Sequence, residues 1–383
     1  MEERRWTGER CAWTRARGGG TCPGQEDAPG AGGGPGHGQR LGALPRQRHD
    51  ALGAGCRRGP RGAAPHGPIG FQDKWPPDPN LTDARYSAFI DKWPMTRGLG
   101  QFPFLFDWNY KRSGDAMHKN GTWKADPKTV FIKGRPDTIE SLFEDLKVCC
   151  DTGRTDRYAY LSSDYRLSRV PQEQLDLFQH FFQGGVFWQA RDKDVPGFKT
   201  APVGLNEMYF RLSYSLAEKA IASADVASKP KQALAAWGYL RPLNGIPSRR
   251  ALKAWLQTTD AGEAGVEHRM IEWNQYWDEL AKYRFLLAPN GGGILSPKTD
   301  EALLLLTVPI MVRDAELNGK TTFDDWVQLG WPIVVLDSWE EITAARLDEW
   351  WAKLSPRLKS FRDNCLTSQG LYRVVTGQVS YCQ

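Results

Sequence analysis

The feature that most constrains the fold is an alternation of hydrophobic period along the chain. In the first half, short and nearly all-apolar runs at Thr129 to Lys133, Tyr158 to Leu161 and Val186 to Trp188 are separated by Glu140 to Lys147 and Gln172 to Phe182, whose apolar residues recur at helical spacing. The second half repeats the pattern with runs at Ala233 to Trp237, Arg284 to Ala288, Val308 to Val312 and Pro332 to Leu336. Its amphipathic stretches are Ser248 to Gln257, Glu267 to Lys282, Lys298 to Thr307 and Glu340 to Leu354. Strands apolar on both faces are buried on both faces, and a helix between consecutive strands supplies the crossover that parallel pairing needs. The pattern predicts an α/β chain with two parallel sheets in two Rossmann-like domains, with the ligand site in a cleft at the carboxyl ends of the strands.

A length of 383 residues accommodates two such domains. Residues 1–66 stand apart: 16 Gly and 6 Pro make up a third of the segment, which cannot bury enough apolar surface to offset its chain entropy and reads as disordered. It has no apolar run long enough for a signal-peptide core or a membrane span. Its 11 Arg, with no Lys, face 6 acidic residues, so it accounts for the whole formal charge of +5 and leaves the remainder neutral. Two readings of it stay open, a basic tail and sequence translated upstream of the true start. The neutral remainder offers no field for a polyanion, so nucleic acid is not an expected partner and any bound anion needs a local site.

Seven Cys form no CxxC pair and no ligand spacing with the six His, which argues against a structural metal site. The odd count precludes complete internal pairing, and Cys149-Cys150 reads as a buried helical pair. Two sequons, Asn80-Leu81-Thr82 and Asn120-Gly121-Thr122, are compatible with a secretory route. Trp75, Trp93, Trp108 and Trp123 read as packing rather than sugar-stacking residues, and His180 as a packed helix residue; nothing assigns a role to His118.

The chemistry concentrates between Leu287 and Leu303. An apolar strand runs through Gly291-Gly292-Gly293 into a helix with Ser296 as N-cap and Pro297 in its first turn. Glycines let backbone amides approach a ligand, a helix start adds unpaired N–H groups, and Lys298 adds a full charge, a combination that suits a diphosphate. Glu301, one turn on, is placed to accept hydrogen bonds from ribose hydroxyls. The loop matches neither GxGxxG nor GxxxxGK[ST], which disfavours a dehydrogenase or nucleotide hydrolase. The same residues also suit a plain Gly-rich turn with Lys298 and Glu301 on a solvated face.

Phe285 to Pro289, Gly291, Gly293, Lys298, Glu301-Ala302-Leu303 and Val308-Pro309-Ile310 resemble, without a gap, the C-terminal signature of exostosin-like glycosyltransferases. Val334 to Glu341, with Ser338 and Glu341 as a capping box, is similar to its continuation. Ala235 to Gly238 with Ser248-Arg249-Arg250 resembles the family's first C-domain strand and the helix after it. Asp164 with Val170-Pro171, and Pro202 to Leu205, are similar to two N-domain segments. The likeness spans about residues 125–375 and is specific around 284–339. It implies a GT-B-like architecture, with an acceptor-side domain at 71–208 and a nucleotide-sugar domain at 209–383. The implied activity is transfer from a nucleotide-sugar to a glycan or glycoprotein hydroxyl, with no cofactor and no metal, in the Golgi or secretory pathway. Gly238, Gly291 and Gly293 would approach the diphosphate, Arg249, Arg250, Lys298 and Arg313 would neutralise it, and Glu301 would hold the ribose. Asp164 is the foremost candidate for the base, with Asp107 and Asp192 behind it. Leu295, Pro297 and Asp300 stand where the family has Asp, His and Trp, and Leu306 where it has Gly. Leu295 cannot hydrogen-bond, so the donor site differs or activity is lost, the latter leaving a binding scaffold.

Overall fold

The structure is a computed structural model that describes residues 83–93, 102–113, 116–120, 125–133, 136–150, 154–205, 210, 212–236, 247–290, 294–313 and 320–382. The Gly- and Pro-rich segment, Gly238 and the triplet Gly291 to Gly293 therefore lie outside the described residues. Pro65–Gln383 is one compact unit.

The fold is α/β with two sheets. The first contains Trp108–Ser113 (β1), Ala116–Asn120 (β2), Thr129–Lys133 (β3), Tyr158–Ser162 (β4), Gly185–Trp188 (β5) and Phe198–Thr200 (β6), in the order β2-β1-β3-β4-β5-β6. All its pairings are parallel except β1 with β2. That antiparallel hairpin corrects the expectation of wholly parallel sheets. Its strands, WNYKRS and AMHKN, lack the continuous apolar run of the strands deeper in the sheet; β2 is the edge, paired only with β1, and β1 lies next to it between β2 and β3.

The second sheet contains Lys231–Ala235 (β7), Val266–His268 (β8), Tyr283–Leu287 (β9), Val308–Val312 (β10) and Val334–Leu336 (β11), all parallel, in the order β11-β10-β9-β7-β8. Every residue of β10 is buried, as a strand covered on both faces requires. The helices are Asp83–Lys92 (α1), Pro136–Cys149 (α2), Gln172–Phe181 (α3), Tyr214–Ser223 (α4), Pro247–Trp255 (α5), Thr259–Glu263 (α6), Tyr276–Leu280 (α7), Lys298–Leu304 (α8), Asp324–Gln328 (α9), Ala344–Asn364 (α10) and Ser368–Val375 (α11).

Three expectations change here. The helix anticipated at Glu267 to Lys282 is the edge strand β8, a loop and the short α7. Glu267, which reads as a solvated helix position, instead accepts from Lys231 Nζ (2.9 Å) and Tyr283 Oη (2.7 Å) across the sheet. The Ser338/Glu341 capping box is present but opens a 3-10 turn at Trp339–Glu341; the long helix starts at Ala344, with Thr343 Oγ1 accepting from Arg346 N at 3.2 Å. Finally, Cys149 and Cys150 are joined in a disulfide with Cys149 exposed, and Cys365 pairs with Cys382.

The two lobes touch through directed bonds. Trp326 Nε1 donates to Thr200 O (2.7 Å), Thr200 N donates to Asp325 Oδ2 (2.9 Å), and Arg191 Nη2 reaches Thr321 Oγ1 (2.9 Å). After α10 the chain crosses back: the Tyr372 ring of α11 stands edge-on to Phe106 at 5.1 Å, and its hydroxyl lies 3.4 Å from Thr129 Oγ1. The tail then returns to the second lobe, where Cys382 N donates to Leu329 O (2.9 Å).

Candidate functional site

In the second sheet the chain steps from β7 to β8 on one side and then to β9 on the other. Connections leaving the carboxyl ends of β7 and β9 therefore diverge, and such a switch point is where open α/β sheets leave room for a ligand. The segment after β7 leads to α5, and the segment after β9 leads through Asn290 to α8. The structure brings these two starts together. Asn290 N donates to Ser248 Oγ at 3.0 Å, and Arg249 Nε donates to Asn290 O at 3.1 Å. Ser248, buried, fixes the loop by that bond.

Two cations stand at these helix starts, Arg249 on α5 and Lys298 on α8. Lys298 and Arg249 are each partly buried, and among the described residues neither has a carboxylate within ion-pair distance. Burial lowers the pKa of Lys298 below its ordinary value; Glu301 pulls it up and the like charge of Arg249 pushes it down. Burial likewise lowers that of Arg249. The Lys298 ammonium sits over the Tyr276 ring, 4.0 Å from its centroid.

Polar groups around them are unspent. Asn290 is 2 % exposed, yet its Nδ2 has no hydrogen-bond partner, and the same holds for Thr299 Oγ1; Tyr276 Oη, also buried, stands beside the Glu301 carboxylate. Buried polar atoms are seldom left unpaired without a ligand, water or function to account for them. Glu301 is buried, and burial raises its pKa while Lys298 opposes that shift. Burial and then Glu301 push Tyr276 well above the ordinary phenol value. Ile294, directly after the triplet, has φ +60°, a conformation that a β-branched residue adopts only under strain. Helix α8 ends at Leu304 rather than Thr307. At seven residues it contributes little macrodipole, so the charge of this site resides in side chains. The helix begins at Lys298 with Pro297 as its N-cap, one residue later than the expected Ser296, whose Oγ accepts from Lys298 N at 3.4 Å.

Asp300 does something the sequence did not disclose. Its carboxylate accepts from the amide of Gly204 in the first lobe at 2.8 Å, and Gly204 adopts φ +75°, a left-handed conformation that glycine takes without penalty. Burial pushes the Asp300 pKa up to about 7, with the Gly204 bond opposing and Glu301 adding to the shift. Asp300 thus makes a bond between the two lobes.

The remaining candidates disperse. Arg313 is paired with carboxylates, with Nη1 2.9 Å from Asp337 and Nη2 bonded to Asp324. Arg250 points to solvent. Asp164 is exposed on the loop after β4 and makes no contact with the cluster. Asp107 accepts from Lys128 N (2.8 Å) and Thr129 N (3.2 Å), and Asp192 from Ser168 N (2.8 Å) and Oγ (2.6 Å), so both hold turns. His180 is exposed rather than packed, while Trp93 and Trp108 are buried in the core; His118, Trp75 and Trp123 lie outside the described side chains. A cavity of about 410 Å³ between α1, α4 and α10 is lined in part by Trp93 but by none of the residues proposed for the diphosphate or the base, and its Arg85 and Arg362 are already paired with Glu218 and Asp363. Among the described residues no group of three or more His, Cys, Asp or Glu is placed to hold a metal ion, and no helix is long and apolar enough to cross a membrane.

The structure brings Arg249, Lys298 and Glu301, which the sequence offers, together with Tyr276, Asn290 and Thr299, which it does not. Tyr276 lay inside a stretch that reads as continuous helix, so its 22-residue separation from Lys298 gave no sign of contact.

No family model and no curated protein matches this sequence. Among solved structures the chain is similar to the crystal structure of the pneumococcal O-GlcNAc transferase GtfA in complex with UDP and GlcNAc, at 12 % identity and a TM-score of 0.22. The match covers 66 % of this chain and 54 %, about half, of that one. A likeness that slight bears no weight on fold or function.

Proposed function

We propose that this chain is a glycosyltransferase of the exostosin-like type, with GT-B architecture, in which the switch-point cluster of the second lobe binds the diphosphate of a nucleotide-sugar. The observation that carries this reading is a pair of partly buried cations, Lys298 and Arg249, left without carboxylate partners beside the buried, unpaired donors of Asn290 and Thr299. Such a site is incomplete until an anion with several acceptor oxygens occupies it. In the transfer step an acceptor hydroxyl bonds to the anomeric carbon as the bond to the diphosphate oxygen breaks. The two cations neutralise charge developing on the departing group, the buried Glu301 carboxylate accepts from ribose hydroxyls, and Asp164 takes the acceptor's proton. The acceptor is a glycan or glycoprotein and no metal takes part. A secretory setting fits the two disulfides, which persist in oxidising compartments.

A second reading, a binding scaffold without turnover, is favoured by Leu295, which is buried and apolar where the family signature is polar. One experiment separates the two. Incubated with a panel of sugar nucleotides and glycan acceptors in EDTA, the transferase produces free nucleoside diphosphate and acceptor extended by one sugar, read by mass spectrometry. Binding of a sugar nucleotide with no product from any acceptor would select the scaffold.

A further inference from the structure

The Lys298 ammonium ends a side chain with four rotatable bonds, and holding it in one place costs rotamer entropy. Something must hold it if it is to meet a ligand. A carboxylate at that distance would hold it but would also cancel its charge. What lies against it is the face of Tyr276, 4.0 Å away. A ring face attracts an ammonium through its quadrupole and leaves the positive charge available to a second partner. The ring is itself well anchored: Trp277 Nε1 donates to Ser213 Oγ at 2.9 Å, and Leu280 is fully buried, so α7 is fixed to the lobe. Tyr276 Oη is sealed from water beside the buried Glu301 carboxylate, which lies on α8 with Lys298, so the Tyr276→Phe variant separates the part played by the hydroxyl from that played by the ring.

We propose that Tyr276 is the positioning residue of this site, holding the Lys298 ammonium ready for an anionic group without neutralising it. The proposal rests on the diphosphate reading above and adds to it the residue that presents the charge.

The test uses calorimetric titration with inorganic pyrophosphate and with UDP, together with competitive acylation of lysines read by mass spectrometry. Tyr276→Leu should weaken binding by roughly three- to thirty-fold, the range of a cation over an aromatic face, and Tyr276→Phe should stay within about twofold of wild type. In a Lys298→Met background Tyr276→Leu should have no further effect, because the two residues act as one. Without any ligand, Tyr276→Leu should increase acylation of Lys298 several-fold while Tyr276→Phe leaves it unchanged. Should Tyr276→Leu fail to fold, Tyr276→Met takes its place in both measurements. The proposal is overturned if Tyr276→Phe is as damaging as Tyr276→Leu, if the loss persists undiminished with Lys298→Met, or if Lys298 acylation is the same in all three proteins. If neither probe binds wild type but acylation changes as described, the placement of Lys298 stands and the diphosphate reading alone fails.

Discussion

At the scale of single residues, Asp300 joins the site to the other lobe. Its folded pKa of about 7 lies above the ordinary 3.8, so the folded state holds a proton there that the unfolded state has released. The stability this proton confers is complete below about pH 4 and is lost as pH rises through 7. Asp300→Asn keeps an acceptor for the Gly204 amide and removes the charge. The variant should therefore show a shallower decline in unfolding free energy between pH 4 and 8 and be more stable at pH 8 by on the order of 4 kcal/mol. Denaturant melts across that range check this, and parallel profiles for the two proteins would contradict it. The sequence shows Asp300 only as a departure from a family pattern. Its partner is the amide of a residue in the other lobe, and a backbone amide leaves no mark in a sequence.

At the scale of elements, the inner strands were legible and the edges were not. β3, β4, β9 and β10 begin and end within a residue or so of their apolar runs because burial on both faces imposes an unbroken apolar sequence. β2 and β8 are edge strands with a partner on one side only, and β1 lies next to the edge, so their sequences lack that unbroken apolar run. The turn after α8 is a related case. Leu306 has φ +56° where the family signature has Gly, whereas its neighbour Leu305 has φ −90°. Both are buried, so replacing either by Gly loses comparable apolar burial. Only Leu306→Gly also relieves a left-handed backbone worth roughly 1–2 kcal/mol. Leu306→Gly should thus destabilise by at least about 1 kcal/mol less than Leu305→Gly in equilibrium unfolding. Equal losses would mean that the backbone there is not strained.

At the scale of the whole molecule, the C-terminal segment ties the lobes together. The Cys365–Cys382 disulfide closes a loop containing α11, which packs on the first lobe while both cysteines are buried in the second-lobe end of the strap. Cys382→Ser should lower stability by about 3 kcal/mol and increase amide exchange chiefly across residues 366–382. A uniform increase over the chain, or none, would contradict the strap. The α/β class and two sheets were readable from period alone, whereas this pairing was not, since seven cysteines with an odd count fix no connectivity. The cation pair was readable in part: Lys298 and Arg249 stand out beside glycines and a helix start, but their lack of carboxylate partners is a property of the folded surroundings. Calorimetry with UDP, GDP, ADP and CDP shows whether that lack is filled by a diphosphate. The account predicts saturable one-to-one binding of at least one of them, weakened by roughly tenfold or more when Arg249→Met and Lys298→Met are combined. Saturable binding by none of the four, or equal affinity in the double variant, would contradict it.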